Sequence, residues 1–226
     1  MNGGGFLLFV LVGVIIVAAI IFGAIAARQR REAMLALAAR LGLRYSPDHD
    51  YGTGQYYGFL NALAQGDDRY AFNVLSGQYG GAEVVSFDYH YETHSTDSKG
   101  HRQTSHHYLS VFALSLPMSF PELRIAKEGI FSKIAQAFGY QDIDFESAEF
   151  SRTFCVRSGD KKFAYDFCNA QMMEYLLANR DLSIEVEGSS LAFVFPGQLK
   201  IDEIESNLSR LLKVRSLMPE YLFTKV

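Results

Sequence analysis

Five of the six histidines fall between His90 and His107, in the stretch HYETHSTDSKGHRQTSHH. Imidazole nitrogens beside a carboxylate are a donor set for zinc and similar ions, so metal chemistry would be sought here first. Alternation predicts a β-strand over 82–94. Val85, Phe87, Tyr89 and Tyr91 share one face of it, and Asp88, His90, Glu92 and His94 share the other. Residues four apart on a strand are about 13 Å apart, which keeps His90 and His94 from sharing one ion unless the strand bends. If Thr104 lies across from His94 in an antiparallel hairpin, His106 opposes Glu92 and Tyr108 opposes His90. The expectation is a solvated polar cluster of His90, Glu92, His94, His106 and His107 beside a polar tip at 95–103. Neither a metal nor a cofactor is assigned to it.

Other reactive side chains lack converging partners. Asp142, Asp144 and Glu146 alternate with Ile143 and Phe145 as on a solvated strand, and Arg152 is expected to pair with Glu149. Paired carboxylates serve acid/base or Mg²⁺ chemistry, but no lysine, histidine or phosphate-binding glycine loop sits at a fixed offset to support either. Cys155 and Cys168 have no nearby histidine in sequence and read as core thiols, although a bridge between them stays open. The glycines of GQYGG match no nucleotide-binding pattern and are expected to turn the chain. No catalytic residue is assigned.

The element that must position all of this is a membrane span. Residues 6–27 carry no charge and reach about 33 Å as a helix, enough for a hydrocarbon layer of roughly 30 Å. A cleaved signal peptide is the rival reading, with Ala24 and Ala26 able to mimic a cleavage motif. MNGGG supplies no basic region for it, and the apolar run is too long. Arg28, Arg30 and Arg31 follow the span directly, so the positive-inside rule puts the remainder in the cytoplasm of a single-pass cell-membrane protein. Two thiols in so long a region suit a reducing compartment. Within the span, Ala19, Gly23 and Ala27 repeat every fourth residue, a candidate helix-contact face.

Residues 28–50 read as a juxtamembrane helix stopping at Gly42, then a linker with Pro47. Residues 51–226 read as an α+β domain, two-lobed near 140 if its halves are similar. The expected elements are a loop at 51–58, a helix at 59–65 and strands at 70–76, 82–94, 104–116 and 123–127, with Pro117 and Pro121 bracketing a turn. A helix with Ile130, Ile134 and Phe138 on one face follows, then strands at 142–146, 149–157 and 161–167. Asn169 caps a helix over 170–179, 182–187 and 191–195 make a hairpin around Gly188, and Asp202 with Glu205 forms a capping box for the last helix. Hairpins with helices inserted late give an antiparallel-sheet-rich domain after one transmembrane helix, with no βαβ series.

The segments GLRY, NVLSG, FDYHY, DIDFESAEFSRTFCV, KKFAYDF and MMEYLL together resemble a group of uncharacterised bacterial membrane proteins with one or two N-terminal spans and a shared soluble domain. The likeness covers approximately 40–195. It implies that Glu149, Phe150, Arg152, Phe163, Tyr165 and Asp166 belong to a shared core or surface, and it supplies no catalytic residue or cofactor.

The formal charge of −4 lies wholly beyond the span, and only the juxtamembrane arginines are clustered, which argues against nucleic acid as a partner. The function expected is a non-enzymatic accessory or protein-interaction subunit at the bacterial inner membrane. Its partners would be the lipid bilayer and either another protein or a second copy within the membrane. The abundant Phe and Tyr keep a small-ligand or lipid-sensing module as the alternative, and the histidines keep a metal-assisted hydrolytic enzyme as a further one.

Overall fold

The computed structural model describes residues 3–97, 100–127 and 142–224. It is an α+β fold with one N-terminal membrane-spanning helix and an antiparallel, sheet-rich domain. Helix α1, Gly3–Leu41, runs unbroken from the apolar segment into the domain. Its side chains between Val10 and Ile25 stand clear of the remaining protein, with Ile20 66% and Phe22 73% exposed, an apolar surface suited to a lipid environment. Its last turns are the reverse: Met34, Leu37 and Ala38 are buried in the main core. Gly42, at φ +70°, ends the helix as expected.

Six strands form one sheet: β1 (Arg44–Ser46), β2 (Asp67–Tyr79), β3 (Ala82–Thr96), β4 (Arg102–Lys127), β5 (Phe154–Ser158) and β6 (Ile184–Pro196). The order is β1-β2-β3-β4-β5, and β6 also pairs with β4. Strand β4 organises the sheet. Its first half pairs with β3 and its last residues with β5, while β6 lies along the opposite edge from Leu109 to Ile125. Helices α2 (Tyr51–Tyr56), α3 (Ala148–Thr153), α4 (Lys161–Phe167), α5 (Ala170–Ala178) and α6 (Ile201–Leu217) complete it, with short 3₁₀ turns at Asn61–Leu63 and Glu220–Phe223.

The middle of the sheet is buried on both faces. One face, with Val84, Phe112, Leu114, Leu191 and Phe193, packs under the end of α1 and under α4, α5 and α6. The other, with Phe87, Tyr89, Val111, Ala113 and Val194, is covered by residues 57–63. This corrects the half-solvated reading for part of β3: Asp88 and His90 sit at 0% and 2% exposure, because Arg30 and Leu199 cover Asp88 and the Tyr70 and Tyr108 rings cover His90, whereas the strand is solvated from Thr93 onward.

Several expected elements are replaced, each for a local reason. Pro117 and Pro121 lie inside β4 where its register with β6 shifts, so they interrupt the ladder without ending the strand. The expected hairpin at 182–195 is the single strand β6, and Gly188, at φ +57°, is absorbed in that same irregular stretch. The strand expected at 149–157 starts as helix α3 and is extended only from Phe154, and the one expected at 161–167 is helix α4 throughout, because Ser147 and Asp160 accept from the N–H groups of Phe150 and Phe163. Residues 142–146 belong to no strand. Asp50 caps α2 where a loop was expected, and only the 3₁₀ turn remains of the helix at 59–65. Asn169 caps α5 as expected. Helix α6 lacks the capping box, since it starts at Ile201 and Glu205 reaches Arg40 at 2.7 Å. Residues 95, 96, 102 and 103 are paired in the ladder, shortening the expected tip. The helix expected around Ile130, Ile134 and Phe138 lies outside the described residues.

Candidate functional site: the polar face of β2, β3 and β4

The β3–β4 register pairs His94 with Thr104, and with it Glu92 with His106 and His90 with Tyr108. The histidine cluster divides by parity. His90, Glu92, His94 and His106 share one face, whereas His107 lies on the other, stacked on Tyr91 at 4.7 Å and bonded to Thr93 Oγ1 at 2.8 Å.

What the sequence reading missed is the contribution of β2. Two bulges interrupt its pairing with β3, between Asp67 and Tyr70 and between Phe72 and Leu75. Each holds a residue in the left-handed region, Asp68 at φ 47° and Asn73 at φ 51°. Asp and Asn are the side chains that tolerate this conformation best, and a bulge re-aims polar groups. The first bulge brings the Asp68 carbonyl 3.2 Å from His90 Nδ1. The second lets Asn73 Nδ2 donate to Asp88 Oδ2 at 2.8 Å.

Asp88 is the centre of a buried network. Its Oδ1 accepts from the Leu199 N–H at 2.5 Å, just before α6, and Arg30 Nη2 approaches Oδ2 at 3.4 Å while donating to the Leu199 carbonyl at 2.7 Å. Tyr45 donates to Asn73 Oδ1 at 2.8 Å. Burial pushes the Asp88 carboxyl above its ordinary pKa; the bonds from Asn73 and Leu199 and the Arg30 charge act against that rise. Arg30, read from sequence as a topology signal, is thus a clamp between the membrane helix and the sheet. Arg28 instead pairs with Glu32 at 2.8 Å.

Further along the same face, His90 Nε2 lies 3.1 Å from His106 Nδ1, which lies 3.1 Å from Glu92 Oε1. Beside them His94 Nε2 meets Asp67 Oδ1 at 3.0 Å. An aromatic ridge borders this cluster. His49 stacks on Tyr70 at 4.0 Å, Tyr70 on His90 at 4.7 Å, and Phe72 meets Tyr108 edge-on at 6.2 Å. Tyr51 and Tyr108 remain 60% and 40% exposed.

The other candidates are structural. Asp142 Oδ1 accepts from the N–H groups of Ile143 and Val156, and Glu149 pairs with Arg180, not with Arg152, which bonds the Ala148 carbonyl. Cys155 and Cys168 are free and buried, and burial pushes both thiols up, Cys155 to about 11. Of the residues singled out by resemblance, Phe150 and Phe163 are core, while Tyr165 is exposed. A groove between the β2–β3 turn, β4 and α6, lined by Gly80, Leu116, Leu212 and Lys213, is open to solvent.

A membrane helix continuous with an α+β domain defines the class: a membrane-anchored protein whose domain is clamped to its anchor. Among solved structures, the chain is similar to the mycobacterial trehalose monomycolate transport factor A, TtfA. The TM-score is 0.60 at 12% identity over 83% of this chain and 95% of that one, a likeness of fold. No protein-family model and no curated protein matches the sequence.

Proposed function

We propose that this protein is a non-enzymatic accessory subunit, anchored with its domain on the cytoplasmic side, that docks a protein partner through the aromatic ridge of β2 and β4. The ridge itself carries the reading. Half-exposed Tyr, Phe and His side chains on a rigid sheet are the residue types that dominate protein–protein contacts. The Arg30–Asp88 clamp holds that sheet close to the bilayer. The cytoplasmic side is supported by the three arginines after the span and by two free thiols. A C-terminal reporter fusion active only outside the membrane would overturn that placement. The fold shared with TtfA makes membrane-transport machinery the first class of partner to test.

The test is purification of the full chain in mild detergent with quantitative mass spectrometry of what accompanies it. A Phe72→Ser/Tyr108→Ser variant should retain the fold and lose at least about 90% of a specific partner, since truncating paired anchors costs roughly 2 kcal/mol or more. Undiminished partners at equal expression would remove the ridge from the interface.

The anchor itself offers a second contact. Ala19, Gly23 and Ala27 are exposed, and nothing lies within 4 Å of a Cβ built at Gly23. Close backbone approach across small residues is a common way for helices to associate in lipid. Gly23→Ile should weaken association in membranes by about 1–2 kcal/mol without preventing insertion. Crosslinking yields equal to wild type would leave the helix a plain anchor.

A further inference from the structure

We propose that His90, His106 and Glu92 form a cation site that takes one Zn²⁺ ion per chain. The site stands independently of the docking reading. Its first support is the tautomer of His90. Nδ1 faces the Asp68 carbonyl at 3.2 Å. A carbonyl only accepts, so the neutral ring carries its proton on Nδ1 and presents the Nε2 lone pair to His106.

The second support is convergence. His90 Nε2, His106 Nδ1 and Glu92 Oε1 approach one another in 3.1 Å steps, and all three lie within 4.8 Å of each other. With neutral rings, at most one proton, on His106 Nδ1, is shared among these three acceptors. A dication accepts all three lone pairs at once. Zinc–ligand bonds of about 2.0–2.1 Å put tetrahedral donors roughly 3.3 Å apart, close to the spacing already present.

The third support is the way the set is built. His90 is 2% exposed, stacked on Tyr70 and packed against Tyr108, and its Nδ1 is fixed by a carbonyl that the β2 bulge delivers. Metal-binding imidazoles are commonly held this way by their other nitrogen. Glu92 and His106 lie across from each other in the β3–β4 ladder. The ion would thus tie β3 to β4 with a fourth position left for water. Asp67, Glu92 and His94 make an adjoining set, but Asp67 is exposed and His94 is also bonded to Thr104 Oγ1. The ion is therefore assigned to the set containing buried His90.

The test uses untagged full-length protein in detergent, stripped with a chelator and titrated with Zn²⁺ against a chromophoric competitor. Metal content is measured by mass spectrometry, and Co²⁺ serves as a spectroscopic substitute. The expected result is one zinc per chain, a higher thermal midpoint with zinc and a visible cobalt spectrum with nitrogen and oxygen donors. His106→Ala and Glu92→Gln should each lower affinity more than about ten-fold. His107→Ala, on the opposite face, should leave it unchanged. His106 is largely exposed, so its variant should unfold like the metal-free wild type. Zinc retention equal in wild type and His106→Ala, or lost equally in His107→Ala, overturns the site.

Discussion

Asp88→Ala is expected to destabilise the domain by about 1–3 kcal/mol, the usual cost of leaving a buried donor without its acceptor. The carboxylate has 0% exposure and satisfies Asn73 Nδ2 and the Leu199 N–H besides facing Arg30. Removing it strands the buried Leu199 N–H, deprives the half-buried Asn73 amide of its acceptor and leaves the partly exposed Arg30 charge without its anion. Because Arg30 belongs to the membrane helix and Leu199 precedes α6, the loss falls on the joint between anchor and domain. Denaturant unfolding of the detergent-solubilised chain reads it. A loss under about 1 kcal/mol would show that the network merely fills space and that apolar packing of Met34, Leu37 and Ala38 holds the joint alone.

Gly66→Ala is expected to cost about 2–5 kcal/mol, combining a left-handed backbone with overpacking. Gly66 has φ +61°, and a Cβ there would stand 2.1 Å from the Glu92 carbonyl oxygen and 2.8 Å from Tyr91 Cδ2. Neither the strand backbone nor the stacked tyrosine yields cheaply. Gly81→Ala is the control, with φ +83° but open space around the new Cβ, so it should lose only about 1–2 kcal/mol. Equal losses at the two sites would mean that backbone strain, not the close approach to β3, governs Gly66. The larger loss should also shift Glu92, and with it the geometry of the histidine cluster.

The placement of these two residues shows where sequence reading stops. Alternation set which side chains of β3 share a face, because a strand's side-chain period is two and a one-residue slip would invert every face; the register, with His94 opposite Thr104, was a premise that the ladder bears out. The same parity rule separates His107 from His106. Nothing in alternation announces a bulge, so the extra residues at Asp68 and Asn73 were invisible, although Asp and Asn are the types that occupy such positions. For α3 and α4 the signal was present but outweighed. Ser147 and Asp160 are ordinary N-caps, and aromatic residues spaced as in EFSRTF and KKFAYDF satisfy a strand and a helix alike until packing chooses.

By itself the sequence determined the membrane helix, the antiparallel α+β class and the face shared by His90, Glu92 and His94, because each rests on a local quantity: length without charge, hairpin patterning and period two. Only the tertiary structure decided that Arg30 is a clamp, that Asp88 and His90 are buried and that β2 completes the site. Those outcomes depend on which helix covers which face and on where a ladder bulges. Such choices are set by packing between segments distant in the chain, as the Arg30, Asp88 and Leu199 bonds are, and no local periodicity records them.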